Sequence, residues 1–272
     1  MYVGVDVGGT KTLVAVLNDK GTVSEQAKFP TPKSYDDFLK GLTELLAGFQ
    51  TKDFKAGGVG IPSTVFDRGR GLAVSFGNLP WCNVSIQSDL EKLFGCPMVV
   101  ENDAKLAGLS EASLLRGQFA KVAYVTVSTG IGYALVVKGV IDTSIGDGGG
   151  RTMLLDHQRR LTPWEDFASG RAIVERYGKL ASDITDAKTW QQISYDLAKG
   201  LIQLIAIMQP EVIVIGGAVG AYFDRYAKPL AAELDKYRLP QVQLPVLRRA
   251  QRPEAAVIYG CYQLAKQVYG RS

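Results

Sequence analysis

The sequence predicts an α/β protein of two lobes in which one plan is used twice. The first observation is the start of the chain, Val3-Gly4-Val5-Asp6-Val7-Gly8-Gly9-Thr10-Lys11-Thr12-Leu13-Val14-Ala15-Val16, two apolar β-branched runs around a tight glycine turn. The second is a repeat of that design at Ala123-Tyr124-Val125-Thr126-Val127-Ser128-Thr129-Gly130-Ile131-Gly132-Tyr133-Ala134-Leu135-Val136-Val137. The third is the succession of strands and helices after each copy, an alternation that argues for largely parallel central pairing. A chain of 272 residues, 46% hydrophobic and 21% charged, is long enough and apolar enough to pack two such lobes.

After the first hairpin, residues 22–29 read as a third strand. Ser34 caps a helix whose apolar face carries Phe38, Leu42, Leu45, Leu46 and Phe49. Residues 56–61 form a buried strand ended by Pro62 and Ser63, and 66–84 read as loop-rich. A short helix over 85–94 stops at Gly95. The apolar strand 97–101 runs straight into Asn102-Asp103 and a helix over 104–115. In the second half, the glycine-rich stretch 139–150 is expected to be irregular. A long helix over 187–208 carries Ile193, Leu197, Leu201, Leu204, Ile205 and Met208 at helical spacing. The strand 212–215 leads into Gly216-Gly217-Ala218, and a helix, a strand and a helix finish the chain. The expected lobes are residues 1–118 and 119–255, with a boundary near 116–120 and the last helix, about 256–272, packing back on the first lobe.

Composition excludes several classes. The net charge of +4 comes without a basic run of the kind nucleic acid requires. No apolar run reaches membrane-spanning length, and the chain starts on a strand rather than a secretory signal. Cys82, Cys96 and Cys261 are odd in number, widely spaced and without CxxC, which points to reduced thiols in the cytoplasm rather than a disulfide framework or a zinc knuckle.

The glycine turns carry the chemistry. Residues without a β-carbon let backbone N–H groups approach an anion, and Thr10 adds a hydroxyl donor. Asp6, a lone carboxylate at the end of an apolar strand, is placed to hold a hydrated metal near that anion. The plain alternative is a surface hairpin whose glycines only make the turn. Two such turns, one per lobe, would clamp a polyphosphate. Asn102-Asp103 reads either as an N-cap pair or as a rigidly held catalytic carboxylate. Glu165 reads as a first-turn acid favoured by the helix dipole, and Gly216-Gly217 as a helix-entry turn.

Five motifs in order resemble the ROK family (repressors, open reading frames and kinases) of actin/hexokinase-like ATPases. They are Asp6-Val7-Gly8-Gly9-Thr10-Lys11-Thr12, Glu101-Asn102-Asp103-Ala104, the Ser128–Gly132 turn, Trp164-Glu165-Asp166-Phe167-Ala168-Ser169-Gly170 and Ile215-Gly216-Gly217-Ala218. The resemblance runs from residue 3 to about 265. It implies a two-lobed actin-like/ribonuclease H-like fold with a duplicated βββαβαβα core and an interlobe cleft. It also implies an ATP-dependent hexose kinase acting on a 6-hydroxyl of glucose or a similar monosaccharide. On the matching positions, Gly8, Gly9, Thr10 and Lys11 form the first phosphate turn, with Asp6 beside Mg²⁺. Ser128, Thr129, Gly130 and Gly132 form the second, and Gly216, Gly217 and Ala218 lie at the adenosine end of ATP. Asp103 is the catalytic base, and Asn102 and Glu165 are sugar ligands. Asn78, in Asn78-Leu79-Pro80-Trp81, is a further sugar-side candidate. Ser63 stands where the family usually has glycine and is placed to reach the sugar.

The pattern breaks once. Most members carry glycine-glutamate-x-glycine-histidine followed by a zinc-binding cysteine cluster. The corresponding stretch, 144–152, aligns with that motif in more than one way. In one alignment Asp147 stands in for the glutamate and Gly150 for the histidine, and no cysteine occurs between Cys96 and Cys261. The resemblance therefore implies Mg²⁺ and no zinc, and leaves the sugar open. His157, the sole histidine, reads as a surface residue beside Asp156, Arg159 and Arg160. The alternatives are an N-acetylhexosamine or fructose kinase, or a non-catalytic sugar sensor. With Asp6 five residues from Met1 there is no room for the winged helix of the family's repressors, so no nucleic acid partner is expected. A cytoplasmic homodimer is expected from the resemblance.

Overall fold

The structure, a computed structural model, describes residues 1–115, 117–252 and 255–270. Arg116, at the edge of the expected lobe boundary, and the last two residues of the expected final helix lie outside them. The chain forms two compact units, residues 1–110 with 255–272, and residues 111–254.

In the first unit, β1 (Tyr2–Val7), β2 (Lys11–Leu17) and β3 (Val23–Pro30) form an antiparallel meander. β4 (Ala56–Ile61) and β8 (Met98–Asn102) then pair in parallel beyond β1, giving the order β3-β2-β1-β4-β8. Register places Asp6 opposite Gly60 and Gly60 opposite Glu101, so the carboxyl ends of the three parallel strands share one edge of the sheet. Such edges are where open α/β sheets bind ligands.

The β-branched runs pack one face of this sheet through Val3, Val5, Val14 and Val59 against Phe38 and Leu42 of α1 (Tyr35–Ala47) and Leu90 of α2 (Ile86–Phe94). Ser34 caps α1 by accepting the Asp37 N–H, and α2 ends on Gly95 in the left-handed region. The last helix packs on the same unit, burying Ile258, Tyr262 and Ala265 against Tyr2, Ala15, Leu17 and Ala56.

Residues 63–84 are a three-stranded sheet rather than loop: β5 (Ser63–Asp67), β6 (Leu72–Phe76) and β7 (Cys82–Val84). Its strands are three to five residues long, with register shifts in β5, so no clean alternation marks them in the sequence. Its anchor is Trp81, whose ring centroid lies 4.7 Å from that of Phe38 and whose indole N–H donates to the Lys33 carbonyl. From β8 the chain enters α3 (Asp103–Leu114) with no intervening loop.

The second unit repeats the pairing. β9 (Lys121–Val127), β10 (Ile131–Val137) and the two-residue β11 (Val140–Ile141) are antiparallel, and β14 (Val212–Gly216) and β15 (Val246–Arg249) extend them in parallel, in the order β11-β10-β9-β14-β15. The long α7 (Ala187–Met208) supplies Ile193, Leu197, Leu201, Leu204 and Ile205 to its core, with α9 (Phe223–Asp235) beside it. The glycine-rich stretch ends in the short helix α4 (Gly149–Thr152), followed by a hairpin of β12 (Leu154–His157) and β13 (Arg160–Pro163). Gln158 and Arg159 make its two-residue turn with φ of 54° and 62°, which neither type favours, so no turn signal is visible in the sequence. α5 (Trp164–Ala168), α6 (Gly170–Tyr177) and, after β14, α8 (Gly217–Gly220) complete the unit, and α10 (Ala256–Tyr269) is the last helix of the chain.

Candidate functional site

The first unit brings Asp6, the Gly8–Thr10 turn, Asn78, Asn102 and Asp103 to one sheet edge and its loops. Gly8 donates its N–H to the Lys11 carbonyl, closing the turn, while the amides of Gly9 and Thr10 find no acceptor among the described residues. Thr31, just beyond β3, braces the turn from behind. Its hydroxyl donates to the Gly8 carbonyl at 2.8 Å and shares a hydrogen bond with the Thr12 hydroxyl, and its N–H donates to the Thr10 carbonyl. Asn78 closes the other side: a β-carbon on Gly9 would stand 2.5 Å from the Asn78 amide nitrogen, so only glycine fits there as the side chains stand. Thr10 and Lys11 are exposed at the tip.

Asp6 is half-buried at the end of β1. Burial, and then the charge of Asp103, push its carboxyl up to about 7. The two carboxylates therefore face one electrostatic site, where a divalent cation would favour the ionised forms. Mg²⁺ suits this donor set, because it takes one or two carboxylates with phosphate oxygens and waters.

Asp103 opens α3, one carboxylate oxygen accepting the Ala104 N–H at 2.7 Å. Asn102 caps the same turn, its side-chain oxygen accepting the N–H groups of Ala104 and Lys105, while its Nδ2 donates to the Ser63 carbonyl. The pair is thus an N-cap, and the cap fixes the Asp103 carboxyl on the first turn of α3. Ser63 is 1% exposed and its hydroxyl has no partner among the described residues, so it meets Asn102 through its backbone carbonyl rather than its side chain.

In the second unit the turn runs from Ser128 to Gly130, the Ser128 N–H donating to the Gly130 carbonyl and the Ser128 carbonyl accepting from the Gly170 N–H at the start of α6. The amides of Thr129 and Gly130 again find no acceptor among the described residues, and Thr129 is exposed at the tip. Glu165, 6% exposed on α5, sits against the turn: a β-carbon on Gly130 would stand 2.7 Å from its Oε2. That oxygen accepts the Ile131 N–H, and Oε1 accepts from Arg151 Nε at 3.1 Å, with Arg171 4.0 Å away. Asp147 is half-buried in the turn ahead of α4, and Gly150 packs on Ile131 and Glu165.

Gly216 ends β14 opposite Thr126, and Gly217 turns the chain into α8 with φ +80°, packed on the Val127 carbonyl. Ala218 is exposed there. His157 is half-buried rather than on the surface. The inner side of the β12–β13 hairpin stacks its ring on Phe167, 4.2 Å between centroids, with Nδ1 buried and unpartnered, and burial holds its pKa below the usual value.

Thr31, Arg151 and Arg171 are beyond the reach of sequence reasoning. A lone threonine after a strand, or an arginine after a glycine run, carries no sequence signal until register and helix direction are known.

The sequence matches the ROK family over residues 2–268. The chain belongs to the ROK family. It is 31% identical to an N-acetylmannosamine kinase of Escherichia coli O139:H28 across 79% of this chain and 82% of that one. It is 27% identical to a glucokinase of Halalkalibacterium halodurans across 89% and 87%. Among solved structures, the ROK hexokinase of Thermus thermophilus superposes with a TM-score of 0.76 at 28% identity, covering 100% of this chain and 99% of that one. The duplicated sheet order is thus the two-lobed actin-like ATPase fold of ROK proteins. Among the described residues no helix of this ROK chain is long and apolar enough to cross a membrane.

Proposed function

We infer that this chain is an ATP-dependent sugar kinase, the class its curated relatives share, and propose that it phosphorylates the 6-hydroxyl of a glucose-like hexose. The observation that carries the reading is Asp103, a carboxylate fixed on the first turn of a helix and electrostatically linked to Asp6 at a sheet edge beside a turn with unsatisfied amides.

Phosphoryl transfer asks for positioning and charge neutralisation more than for covalent chemistry. In this reading the Gly8–Lys11 and Ser128–Gly132 turns each offer backbone amides and a threonine hydroxyl to the triphosphate. Asp6 holds Mg²⁺, which when bound neutralises charge on the phosphates. Gly216, Gly217 and Ala218 approach the adenosine end. Asn102, Asn78, Glu165 and Asp147 orient the sugar. Asp103 accepts the proton of the attacking hydroxyl, leaving its oxygen to attack the outermost phosphorus. Ser63 supports Asn102 through its carbonyl. A cytoplasmic homodimer without a zinc site completes the proposal.

A coupled ADP-release screen with Mg-ATP and a panel of monosaccharides tests it. The expected result is turnover highest with glucose or a close analogue, and turnover with no sugar would contradict it. The N-acetylhexosamines belong on the panel because the identity to the N-acetylmannosamine kinase exceeds that to the glucokinase.

A further inference from the structure

Glu101 is 4% exposed, and a buried carboxylate is tolerated only with its charge and lone pairs answered. Arg68 answers them with a two-pronged grip: Nε donates to Oε2 at 2.8 Å and Nη2 donates to Oε1. Oε1 also accepts the backbone N–H of Asn102 at 2.7 Å. The guanidinium carbon lies over the Phe66 ring, 5.6 Å from its centroid, a cation–π contact that adds to the grip.

Arg68 stands one residue past the end of β5, and Ser63, the first residue of β5, presents the carbonyl that accepts from Asn102 Nδ2. The junction between β8 and α3 is therefore held at both ends of one strand, and the residue that comes next is Asp103. Asn78, the residue packed on Gly9 of the phosphate turn, lies in the loop that joins β6 to β7 of the same sheet.

We propose that Arg68 is a positioning residue: acting through Glu101, it fixes the backbone that aims Asp103 and ties that aim to the β5–β7 sheet carrying the Asn78 loop. The inference rests on the sugar-kinase reading and adds to it a residue that touches neither sugar nor ATP. A bridge that served folding alone would register in the melting temperature and leave turnover intact, because removing one partner of a buried pair leaves the other's charge uncompensated. A positioning pair registers in kcat, because small displacements of a reacting group cost up to about a hundredfold.

The experiment uses the full chain with Arg68→Ala, Arg68→Lys and Glu101→Gln, beside the parent and Asp103→Asn. Steady-state kinetics are read on the accepted sugar with saturating Mg-ATP. Hydrogen exchange is read at the amides of residues 101–106, which needs no turnover. Arg68→Ala is expected to lose about ten- to a hundredfold in kcat, with the KM for ATP within about twofold. Arg68→Lys recovers only part, because a point charge cannot grip both carboxylate oxygens, and added guanidinium restores part of the Ala variant's rate. Glu101→Gln keeps an acceptor for the Asn102 N–H and gives a smaller loss. The amides of Asn102, Ala104 and Lys105 exchange faster in Arg68→Ala, and those of β9 and β10 do not change. Unchanged kcat, full recovery by lysine, or unchanged exchange at 101–106 would overturn the proposal. A parent enzyme that turns over no sugar counts against the kinase reading instead, and the exchange data then decide whether Arg68 holds the junction.

Discussion

The β1–β2 turn of the first unit and the β9–β10 turn of the second each press a glycine against a side chain drawn from elsewhere in the unit, Gly9 against Asn78 and Gly130 against Glu165. The first brace is neutral: an amide, the hydroxyls of Thr31 and Thr12, and a backbone carbonyl. The second is ionic, a buried carboxylate set against Arg151 and Arg171. The difference stems from the charges nearby. Asp6 and Asp103 already crowd negative charge at the first turn, raising one of the pair, so a further carboxylate there would raise it more and add to the repulsion of an anion. The second turn's buried carboxylate would repel a phosphate unless arginines neutralised it.

The largest effect bearing on this contrast is expected at Asp6. Asp6→Asn should lower kcat/KM by about a hundredfold or more and shift the Mg²⁺ requirement to higher concentration, read by titrating Mg²⁺ at fixed ATP. Next come the paired glycines. Gly130→Ala drives a β-carbon onto Glu165, which packing and two arginines hold in place, and should raise the KM for ATP on the order of tenfold. Gly9→Ala meets Asn78, an exposed side chain that can swing aside, and should cost less in ATP affinity but more in sugar affinity. Equal effects of the two alanines on both substrates would erase the distinction between a neutral and an ionic brace. Thr31→Val removes the hydroxyl that donates to the Gly8 carbonyl and should destabilise the first unit by about 1 kcal/mol, visible as an earlier thermal transition.

The smallest effect lies at His157. Its folded-state pKa is held down, first by burial, so protons bind the unfolded chain more readily. The histidine therefore costs nothing above about pH 6.5, its ordinary value, and stability falls as pH drops below that. His157→Phe keeps the stack on Phe167 and should flatten this acid loss in melts recorded from about pH 7.5 to about pH 5.

The parts of the fold that were legible in the sequence are those written in long periodic runs. The β1–β2 hairpin, β4, α7 and β14 stand where the apolar patterning puts them, because each buries one face or both in a single core. The β5–β7 sheet was not legible, since three short strands held by one tryptophan leave no period to read. The β12–β13 hairpin hid for a related reason, its turn being made by Gln158 and Arg159 at positive φ rather than by glycine or asparagine. In the site, the residues on strand ends could be read from motif order, whereas Thr31, Arg68, Arg151 and Arg171 act across the fold and become visible only once the chain is folded.

Catalysis in this reading depends on one carboxylate taking a proton as phosphate leaves ATP. The direct measurement is the appearance of sugar phosphate by phosphorus NMR, with ATP binding measured in parallel, for the parent and for Asp103→Asn. The variant should bind ATP within about twofold of the parent and form product about a thousandfold more slowly. Product formation at near the parent rate would contradict that role for Asp103.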